Sequence, residues 1–462
     1  MKQTKEKLFW VIILLATLFV NVSYSQEPLF KDGDRVCFIG SSIAMNGANM
    51  HYVNLSYATR YPDRKVSFIN CGISGDVTDE ILRRMESDIL INHPTWAVLM
   101  LEENDLKPSL YYKERLNEPG IMEKRQKALG NWFKNADSIV QILLKANVKV
   151  ILETPAIYDQ TANLPAKNAY GLNDSLKKCM IYLKRVADKY KLPLVDCWTI
   201  LYNVNKRIQR KDLTQTIIGH DRVHVSKLGY FSMAYQFLKT LPGMKEVSHI
   251  IIDAKLNKLK QQLNCSIPDL KSNARDVSFT YISRSLPFPT PDGLNTDSLF
   301  SFTDELNAEI VQIKGLAPGN YQLLIDSVIV GVFSNKIFAK GINLSKMNNT
   351  PQYQQAMQVL SLFNDYWDIE RTLRIMKYVE FSHLRSIQNK DDMEWVKKAF
   401  DEIMERSRTD DNYSFFKNVF KIYLDNKPQE KALMSKLESL LTAIQHINTP
   451  LEHEYKIQQA ID

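Results

Sequence analysis

The chain has 462 residues, of which 45% are hydrophobic and 24% charged, the composition of a globular protein that can bury a sizeable core. This length exceeds that of an ordinary single domain and predicts two domains, or one large domain with an appendage. The formal net charge of +7 is modest and the basic residues are interspersed with acids, so the sequence lacks the footprint of a nucleic-acid-binding protein.

The N-terminus has the pattern of a secretory signal peptide, which we assign to residues 1–25. Basic residues precede an apolar run from Leu8 to Val20, and small residues follow at a cleavage position before Gln26. An uncleaved anchor helix is the alternative, but this run is short for a bilayer span. We therefore expect an exported protein, periplasmic or extracellular, with no stable membrane span after cleavage.

The five cysteines are odd in number and widely spaced, at Cys37, Cys71, Cys179, Cys197 and Cys265. At least one must stay free or pair between chains, and no C-x-x-C spacing suggests a metal site. Cys37 and Cys71 lie in or at the end of apolar runs, so we interpret them as small buried hydrophobic residues.

From Asp34 to about Met244, short apolar runs alternate with longer amphipathic ones. The predicted strands are Val36–Ile39, Val66–Ile69, Trp96–Leu101, Val148–Leu152 and Leu194–Val195. The predicted helices lie near residues 46–60, 77–91, 124–146, 173–191 and 226–240. Strands separated by helices predict an α/β domain over residues 26–245, built on a doubly wound parallel sheet with right-handed crossovers.

Beyond residue 245 the sequence pattern changes twice. Residues 246–264 are predicted to form a polar helix, followed by a small β-rich segment up to residue 345. Its predicted strands are Asp276–Ser283, Glu309–Lys314, Tyr321–Ile325 and Val328–Phe333. Residues 346–462 are predicted to be a helical C-terminal region, with helices at Gln352–Phe363, Ile369–Gln388, Met393–Arg406 and Leu433–His446. This region has no cluster of catalytic type, and we expect it to add stability or a pocket wall.

Four short polar blocks follow predicted strands or precede a helix, at the edge where a doubly wound sheet gathers its ligand site. They are Gly40-Ser41-Ser42, Asn70 to Asp76, Glu102-Glu103-Asn104-Asp105, and Asp221-Arg222-Val223-His224. A serine hydroxyl becomes nucleophilic when a base takes its proton, and an acid can hold that base in one tautomer. Taken alone, each block also has a structural explanation: a serine cap, a tight glycine turn, a post-strand turn or a packed histidine.

Together and in this order, the blocks resemble the SGNH, or GDSL-type, hydrolases, which are serine esterases and acylhydrolases on a flavodoxin-like sheet. The resemblance covers about residues 34–240. It implies that Ser42 is the nucleophile, His224 the general base and Asp221 the acid that orients this base. It further implies that the backbone N–H groups of Ser42 and Gly75 and the side-chain amide of Asn104 stabilise the oxyanion.

The sequence departs from the family's pattern at two positions. Ser41 stands where the first block, G-D-S, has aspartate, and Glu102 stands where the third block, G-x-N-D, has glycine. Neither change removes a catalytic group, but a carboxylate near the oxyanion could lower activity on simple esters or contact a polar substrate. His220 and His224 have the i,i+4 spacing of a metal pair, but no third ligand has a regular spacing, so we expect neither a metal nor another cofactor.

The sequence therefore predicts a secreted serine esterase that hydrolyses small acyl esters, acetyl above all, on carbohydrates through an acyl-enzyme. The carbohydrate follows from the resemblance, because exported members with long C-terminal extensions resemble carbohydrate deacetylases. Two alternatives stay open: a lipid acylhydrolase or thioesterase, and a non-catalytic glycan-binding or scaffold protein on a degenerate hydrolase fold. The expected partner is a small-molecule or polysaccharide ester, with selectivity set by the loops at 105–123 and 155–172. The sequence leaves the oligomeric state open.

Overall fold

The structure is a computed structural model that describes residues 27–243, 245–291, 293–294, 299–387, 390–409 and 412–460. The predicted signal peptide lies outside these residues. Within the described ranges, no helix combines the length and the apolarity needed to cross a membrane. The cysteines are all free and buried, and the predicted burial of Cys37 and Cys71 is confirmed.

The first part of the chain forms a five-stranded parallel sheet with the strand order β2-β1-β3-β4-β5. Its strands are β1 (Arg35–Gly40), β2 (Ser67–Gly72), β3 (Trp96–Met100), β4 (Lys149–Glu153) and β5 (Leu194–Val195). This order is that of the flavodoxin-like doubly wound fold, so the predicted fold class is confirmed. The order reverses between β1 and β3, and the carboxyl ends of these strands therefore border the crevice where such sheets bind ligands.

The helices of this α/β domain are α1 (Ser42–Asn46), α2 (Ala48–Arg60), α3 (Thr78–Arg83), α4 (Ile121–Lys145), α5 (Leu172–Tyr190), α6 (Cys197–Gln209) and α7 (Lys227–Thr240). The sequence analysis did not predict α6, although Cys197, Leu201 and Val204 are buried at helical spacing. The helix predicted near 77–91 is interrupted, because α3 ends at Arg83 and a π-helical turn follows at Met85–Ile89.

The segment predicted as a polar helix, residues 246–264, contains two antiparallel strands instead, so that prediction is wrong. They are β6 (Glu246–Asp253) and β7 (Lys258–Leu263). In β6, Ile250 and Ile252 are fully buried whereas Ile251 between them is only half-buried, which is the alternation of a strand. The β-branched residues of this run favour a strand, and the flanking lysines obscured that signal.

The rest of the β-rich segment adds short strands and two short helices. These are β8 (Cys265–Ser266), β9 (Lys271–Ser272), β10 (Asp276–Ser283), α8 (Phe302–Leu306), β11 (Ala308–Lys314), β12 (Asn320–Ile325), β13 (Val328–Ser334), α9 (Asn335–Lys340) and β14 (Ile342–Asn343). Strands β6, β7, β11 and β14 form one sheet, and the other strands of the segment belong to a second sheet.

The C-terminal region is mostly helical but ends in a strand. Its elements are α10 (Pro351–Ser382), α11 (Met393–Arg406), α12 (Tyr413–Asn426), α13 (Glu430–Ile447) and β15 (Glu452–Gln459). Helix α10 unites two predicted helices, and α12 was not predicted. Strand β15 pairs with β10 and β12, so the prediction that residues 346–462 are helical is wrong for this last strand, which completes the preceding β-rich sheet.

Within the residues that the structure describes, the hydrophobic interior is divided into three clusters. The largest fills the α/β domain and takes in Val359 and Phe363 of α10. A second lies between the two β-rich sheets. The third joins α10, α11 and α12 to Met45 and Ile73, which flank the predicted site. The long helix α10 is thus part of the wall behind the carboxyl ends of β1 and β2.

Candidate active site

Ser42 lies at the tight turn between β1 and α1. It is half-buried and is the first residue of α1, directly after Ser41, which caps this helix. Gly40 makes the turn possible, because a Cβ at this position would lie 2.6 Å from the carbonyl oxygen of Met100 and 2.7 Å from the Cβ of Ala44. The sequence thus presents Ser42 at the carboxyl edge of the sheet.

His224 and Asp221 lie on the loop that precedes α7, and both face Ser42. Nε2 of His224 is 2.9 Å from Oγ of Ser42, and Nδ1 of His224 is 2.6 Å from Oδ2 of Asp221. Oδ1 of Asp221 also accepts the backbone N–H groups of Val223 and His224, at 3.0 Å each, which fixes the loop around the acid. The three residues that the sequence predicted as a triad are thus joined in one hydrogen-bonded chain.

The electrostatics of this chain suit a base and its orienting acid. The hydrogen bond to Asp221 raises the pKa of His224 above its ordinary value, although desolvation opposes the change. Desolvation also acts to raise the pKa of Asp221, but hydrogen bonds from His224 and from backbone N–H groups outweigh it and lower this pKa to about 2. Asp221 is therefore ionised near neutral pH and stabilises a protonated His224.

Arg222, between these two residues, is a site residue that the sequence analysis did not single out. Its side chain is buried, and its φ of 70° lies in the left-handed region. The guanidinium donates to the carbonyl oxygens of Asp159, Ala162, Leu164 and Ala166, at distances from 2.8 to 3.0 Å. Arg222 thereby holds the loop that carries His224 and Asp221 against the loop after β4.

The two loops predicted to set selectivity contact each other. Tyr112, in the loop after β3, pairs with Ala169 in the loop after β4, and Tyr170 N–H donates to the carbonyl oxygen of Tyr111. Since Arg222 holds the second of these loops, both are tied to the site. Their role in selectivity stays a prediction.

Gly75 lies on the loop after β2. Its φ is 79°, in the left-handed region that glycine adopts without strain, and the residue is exposed. Its backbone N–H makes no hydrogen bond to the described part of the chain. The loop is anchored on either side of it by Asp76, whose carboxylate accepts from Arg84, and by Ile73, which packs with Met45. Gly75 N–H is thus available to an oxyanion.

Asn104 begins a short 3-10 turn after β3 and bridges the first two blocks. Its side-chain nitrogen donates to Oγ of Ser41 at 2.6 Å and to the carbonyl oxygen of Asp76 at 3.1 Å. The backbone N–H of Ser42 donates to the same Ser41 oxygen at 2.5 Å. Two of the three predicted oxyanion donors therefore converge on the Ser41 hydroxyl, so an oxyanion must share or replace that contact.

The two acidic residues before Asn104 are both buried. Desolvation raises the pKa of Glu102, and hydrogen bonds from backbone N–H groups of the nucleophile turn oppose this. Desolvation and the charge of Glu102 raise the pKa of Glu103 to about 7, while His224 has a smaller opposing effect. The base His224 therefore lies near two carboxyl groups besides its partner Asp221.

A buried network of charged residues connects the site to helix α10. Asp88 accepts from both Arg84 and Arg374, with distances of 2.5 to 2.9 Å. Arg84 also donates to the carbonyl oxygen of Gly40, and Arg374 to that of Gly72, at 3.3 and 2.6 Å. Sequence analysis missed this network because Arg374 lies in a region whose pattern shows only helical periodicity.

Metal ligands are not grouped in the part of the chain that the structure describes: no cluster of three or more His, Cys, Asp or Glu residues is suited to hold an ion.

Comparison with known proteins identifies the family. Residues 38–230 match the model of the GDSL-like Lipase/Acylhydrolase family. An acetylxylan esterase of Geobacillus stearothermophilus is 24% identical over 225 residues, which are 45% of this chain and 94% of that enzyme. A solved structure of an acetylxylan esterase from that organism has 22% identity and a TM-score of 0.36, covering 46% of this chain and 94% of its own.

The similarity extends beyond the α/β domain in one solved structure, that of a gut microbial diltiazem-metabolizing enzyme. It is 26% identical, with a TM-score of 0.82, and covers 94% of this chain and 99% of its own. The β-rich and C-terminal regions are thus part of an architecture that another enzyme shares. Residues 38–230 form a domain of the GDSL-like lipase/acylhydrolase family, and the chain is a hydrolase of the SGNH esterase type.

Proposed function

We propose that this protein is an exported serine esterase that removes small acyl groups, acetyl above all, from carbohydrates. The hydrogen-bonded chain Ser42–His224–Asp221, with distances of 2.9 and 2.6 Å, is the observation that carries the esterase chemistry. A degenerate scaffold has no reason to keep this geometry, which argues against a non-catalytic role. Export is supported by the predicted signal peptide at residues 1–25.

The reaction begins with the hydroxyl of Ser42. His224 takes its proton through Nε2, and Oγ attacks the carbonyl carbon of the ester. Asp221 holds the other ring nitrogen and stabilises the imidazolium that forms. The tetrahedral oxyanion accepts hydrogen bonds from Gly75 N–H, Ser42 N–H and the amide of Asn104, each typically worth on the order of 3 kcal/mol.

Collapse of this intermediate releases the sugar alcohol, which takes the proton from His224, and leaves the acyl group on Ser42. Water then attacks the acyl-enzyme while His224 takes its proton. Collapse breaks the bond to Ser42, returns that proton to Oγ and releases a carboxylic acid, which ionises in solution. The base must be neutral for each attack. Because the hydrogen bond to Asp221 raises the pKa of His224, activity should rise with pH through a value above the ordinary 6.5 of histidine.

Two observations support a carbohydrate ester as the substrate. The side chains of His224 and Asp221 are each 52% exposed, so the site is open to a bulky leaving group such as a sugar chain. The α/β domain is also similar to an acetylxylan esterase, at 24% identity. A small drug-like molecule is the second candidate, because the enzyme that shares the architecture over 94% of this chain metabolizes diltiazem.

A fluorophosphonate probe tests the esterase chemistry. We expect the mature wild type to be labelled, Ser42→Ala to be unlabelled, and Ser138→Ala to be labelled at the wild-type rate. Ser138 is the control because its hydroxyl bonds a carbonyl within α4, away from the base. A folded wild type that does not react would overturn the proposal. Acetate release from acetylated xylo-oligosaccharides, beside consumption of diltiazem, then decides between the two substrates.

A further inference from the structure

Glu102 makes contacts that its place in the sequence does not reveal. Its side chain is 4% exposed, and its carboxylate accepts three backbone N–H groups of the turn that carries the nucleophile. Oε1 accepts from Ser41 at 3.0 Å and from Ala44 at 3.3 Å, and Oε2 accepts from Ile43 at 3.1 Å. Among the described residues, no basic side chain forms an ion pair with Glu102. These N–H groups are the main compensation for burying its carboxyl group.

Ser41 connects this carboxylate to the oxyanion donors. Its backbone N–H donates to Oε1 of Glu102, and its hydroxyl oxygen accepts from Ser42 N–H and from the amide of Asn104. A chain of hydrogen bonds therefore runs from Glu102 through Ser41 to Asn104. Each link fixes a group that the hydrolysis needs: the turn of Ser42 at one end and an oxyanion donor at the other.

The carboxyl group of Glu102 lies close to the nucleophile turn on the side of Gly40 as well. Glu102 Oε1 already lies where a Cβ on Gly40 would approach to 3.2 Å, so the carboxylate fills the space beside the turn. An aspartate in place of Ser41 would put a second buried carboxylate against the first, and like charges so close cannot both be ionised without a large cost. The two departures from the family's blocks, serine for aspartate and glutamate for glycine, are therefore coupled.

We propose that Glu102 and Ser41 are a pair of positioning residues in which the acid that supports the nucleophile turn comes from the third block instead of the first. This inference rests on the proposed serine-esterase function. Glu102 does not touch the reacting atoms; it acts through the backbone of residues 41–44 and, through Ser41, on Asn104. Replacing its carboxyl group should lower the rate of the chemical step and leave substrate binding nearly unchanged.

The test compares Glu102→Gln, Ser41→Asp and the double variant Ser41→Asp/Glu102→Gly by steady-state kinetics on p-nitrophenyl acetate and by fluorophosphonate labelling. Loss of an oxyanion-stabilising contact typically lowers kcat by about 100-fold or more, and we expect a fall of about this size in each single variant with KM nearly unchanged. The double variant should recover most of the wild-type kcat. Glu153→Gln is the matched control, since this buried acid at the end of β4 bonds Asn49 instead.

Each outcome supports or overturns the pairing of Glu102 with Ser41. A folded Glu102→Gln variant with wild-type kcat and labelling rate, or a double variant no faster than the slower single one, overturns the pairing. If Glu102→Gln does not fold, Ser41→Ala keeps the acid and removes the hydroxyl that accepts from Asn104 and from Ser42 N–H. An unchanged kcat in that variant overturns the pairing. If the wild type itself is not labelled, the proposed function fails, and non-additive Tm shifts in the double variant then decide the pairing alone.

Discussion

The β-rich region and the helical C-terminal region join the α/β domain in different ways. The β-rich region has a hydrophobic core of its own, in which Leu323 and Ile457 are fully buried. Helices α10 to α13 bury their apolar residues in clusters shared with the α/β domain, where Phe363 enters the main core and other residues pack on Met45 and Ile73. A region with its own core can be perturbed with little effect on the site, whereas the helices cannot.

The two regions also differ in charge contacts with the site. Arg374 of α10 reaches the carbonyl oxygen of Gly72 and the carboxylate of Asp88, both inside the α/β domain. Glu309, the buried acid of the β-rich region, accepts hydrogen bonds from Tyr281 and Gln352, which lie far along the chain from the four blocks. The helices thus form the back of the active site, although the residues that match the family model end before them.

The largest effect should come from ending the chain after Met244. This truncation exposes the main core and leaves Asp88 without Arg374, so we expect insoluble or unfolded protein. Soluble yield and circular dichroism measure the result. A soluble truncated protein with wild-type labelling of Ser42 would show that the helices are not part of the site.

A smaller effect is expected from Arg374→Ala. Breaking a buried ion pair by removing one partner typically costs 3–5 kcal/mol, so the free energy of unfolding should fall by about that amount. Labelling of Ser42 should slow as well, because Gly72 loses its donor. Arg371→Ala is the control on the same helix: its pair with Asp368 at 3.0 Å is exposed and worth at most about 1 kcal/mol. Equal losses in both variants would contradict the prediction.

Two core truncations of similar chemistry distinguish the two regions. Met376→Ala and Ile457→Ala each remove a fully buried side chain and should each cost about 2–5 kcal/mol of unfolding free energy. Because Met376 packs in the cluster of Met45 and Ile73, only its variant should also slow the labelling of Ser42. Chemical denaturation and labelling at a temperature where both variants are folded test this. Slower labelling in Ile457→Ala would remove the distinction between the regions.

The smallest effect concerns pH. Burial raises the pKa of Glu309 from 4.5 to about 7, despite hydrogen bonds from Gln352 and Tyr281. When the pKa of a carboxyl group is higher in the folded state than in the unfolded state, its contribution to stability is complete below the unfolded-state pKa. That contribution is lost as the pH rises through the folded-state pKa. We therefore expect Tm to fall as pH rises from 4.5 to about 7, and Glu309→Gln to weaken this dependence. Parallel wild-type and variant curves would argue against a role for Glu309.

The contribution of Asp88 to stability should depend on pH in the opposite direction. Burial opposes the shift, but Arg374 and Arg84 lower the pKa of Asp88 below 3.8, so its stabilising effect is present above that value and lost in acid. The attachment of the helices is thus expected to weaken at low pH, where the β-rich region keeps its full contribution from Glu309.

The sequence was informative where a short segment carries its own signal. Strand β1 and the glycine-serine turn are adjacent in the chain, and the order of the blocks placed Ser42, Asp221 and His224 at one edge of the sheet. The contacts of Glu102 were not predictable, since a glutamate in place of a glycine shows a departure but not which N–H groups it meets. The same holds for Arg374 and Asp88, which are 286 residues apart.

Errors of the sequence analysis have physical causes. The mixed spacing of lysines and apolar residues in 246–264 predicts a helix, but pairing of β6 with β11 and β7 makes this segment two strands. Strand β15 has no helix-breaking signal of its own and owes its conformation to the open edges of β10 and β12. Such long-range pairing leaves little signal in any short stretch of the sequence.

The shared space of Ser41 and Glu102 has a consequence for how this lineage can change. From the family's typical blocks, replacing the aspartate first removes the acid beside the nucleophile, and replacing the glycine first crowds two acids together. If the proposed pairing holds, either order passes through a slower enzyme. Related chains should then carry the serine and the glutamate together or carry neither, which an alignment of their sequences tests.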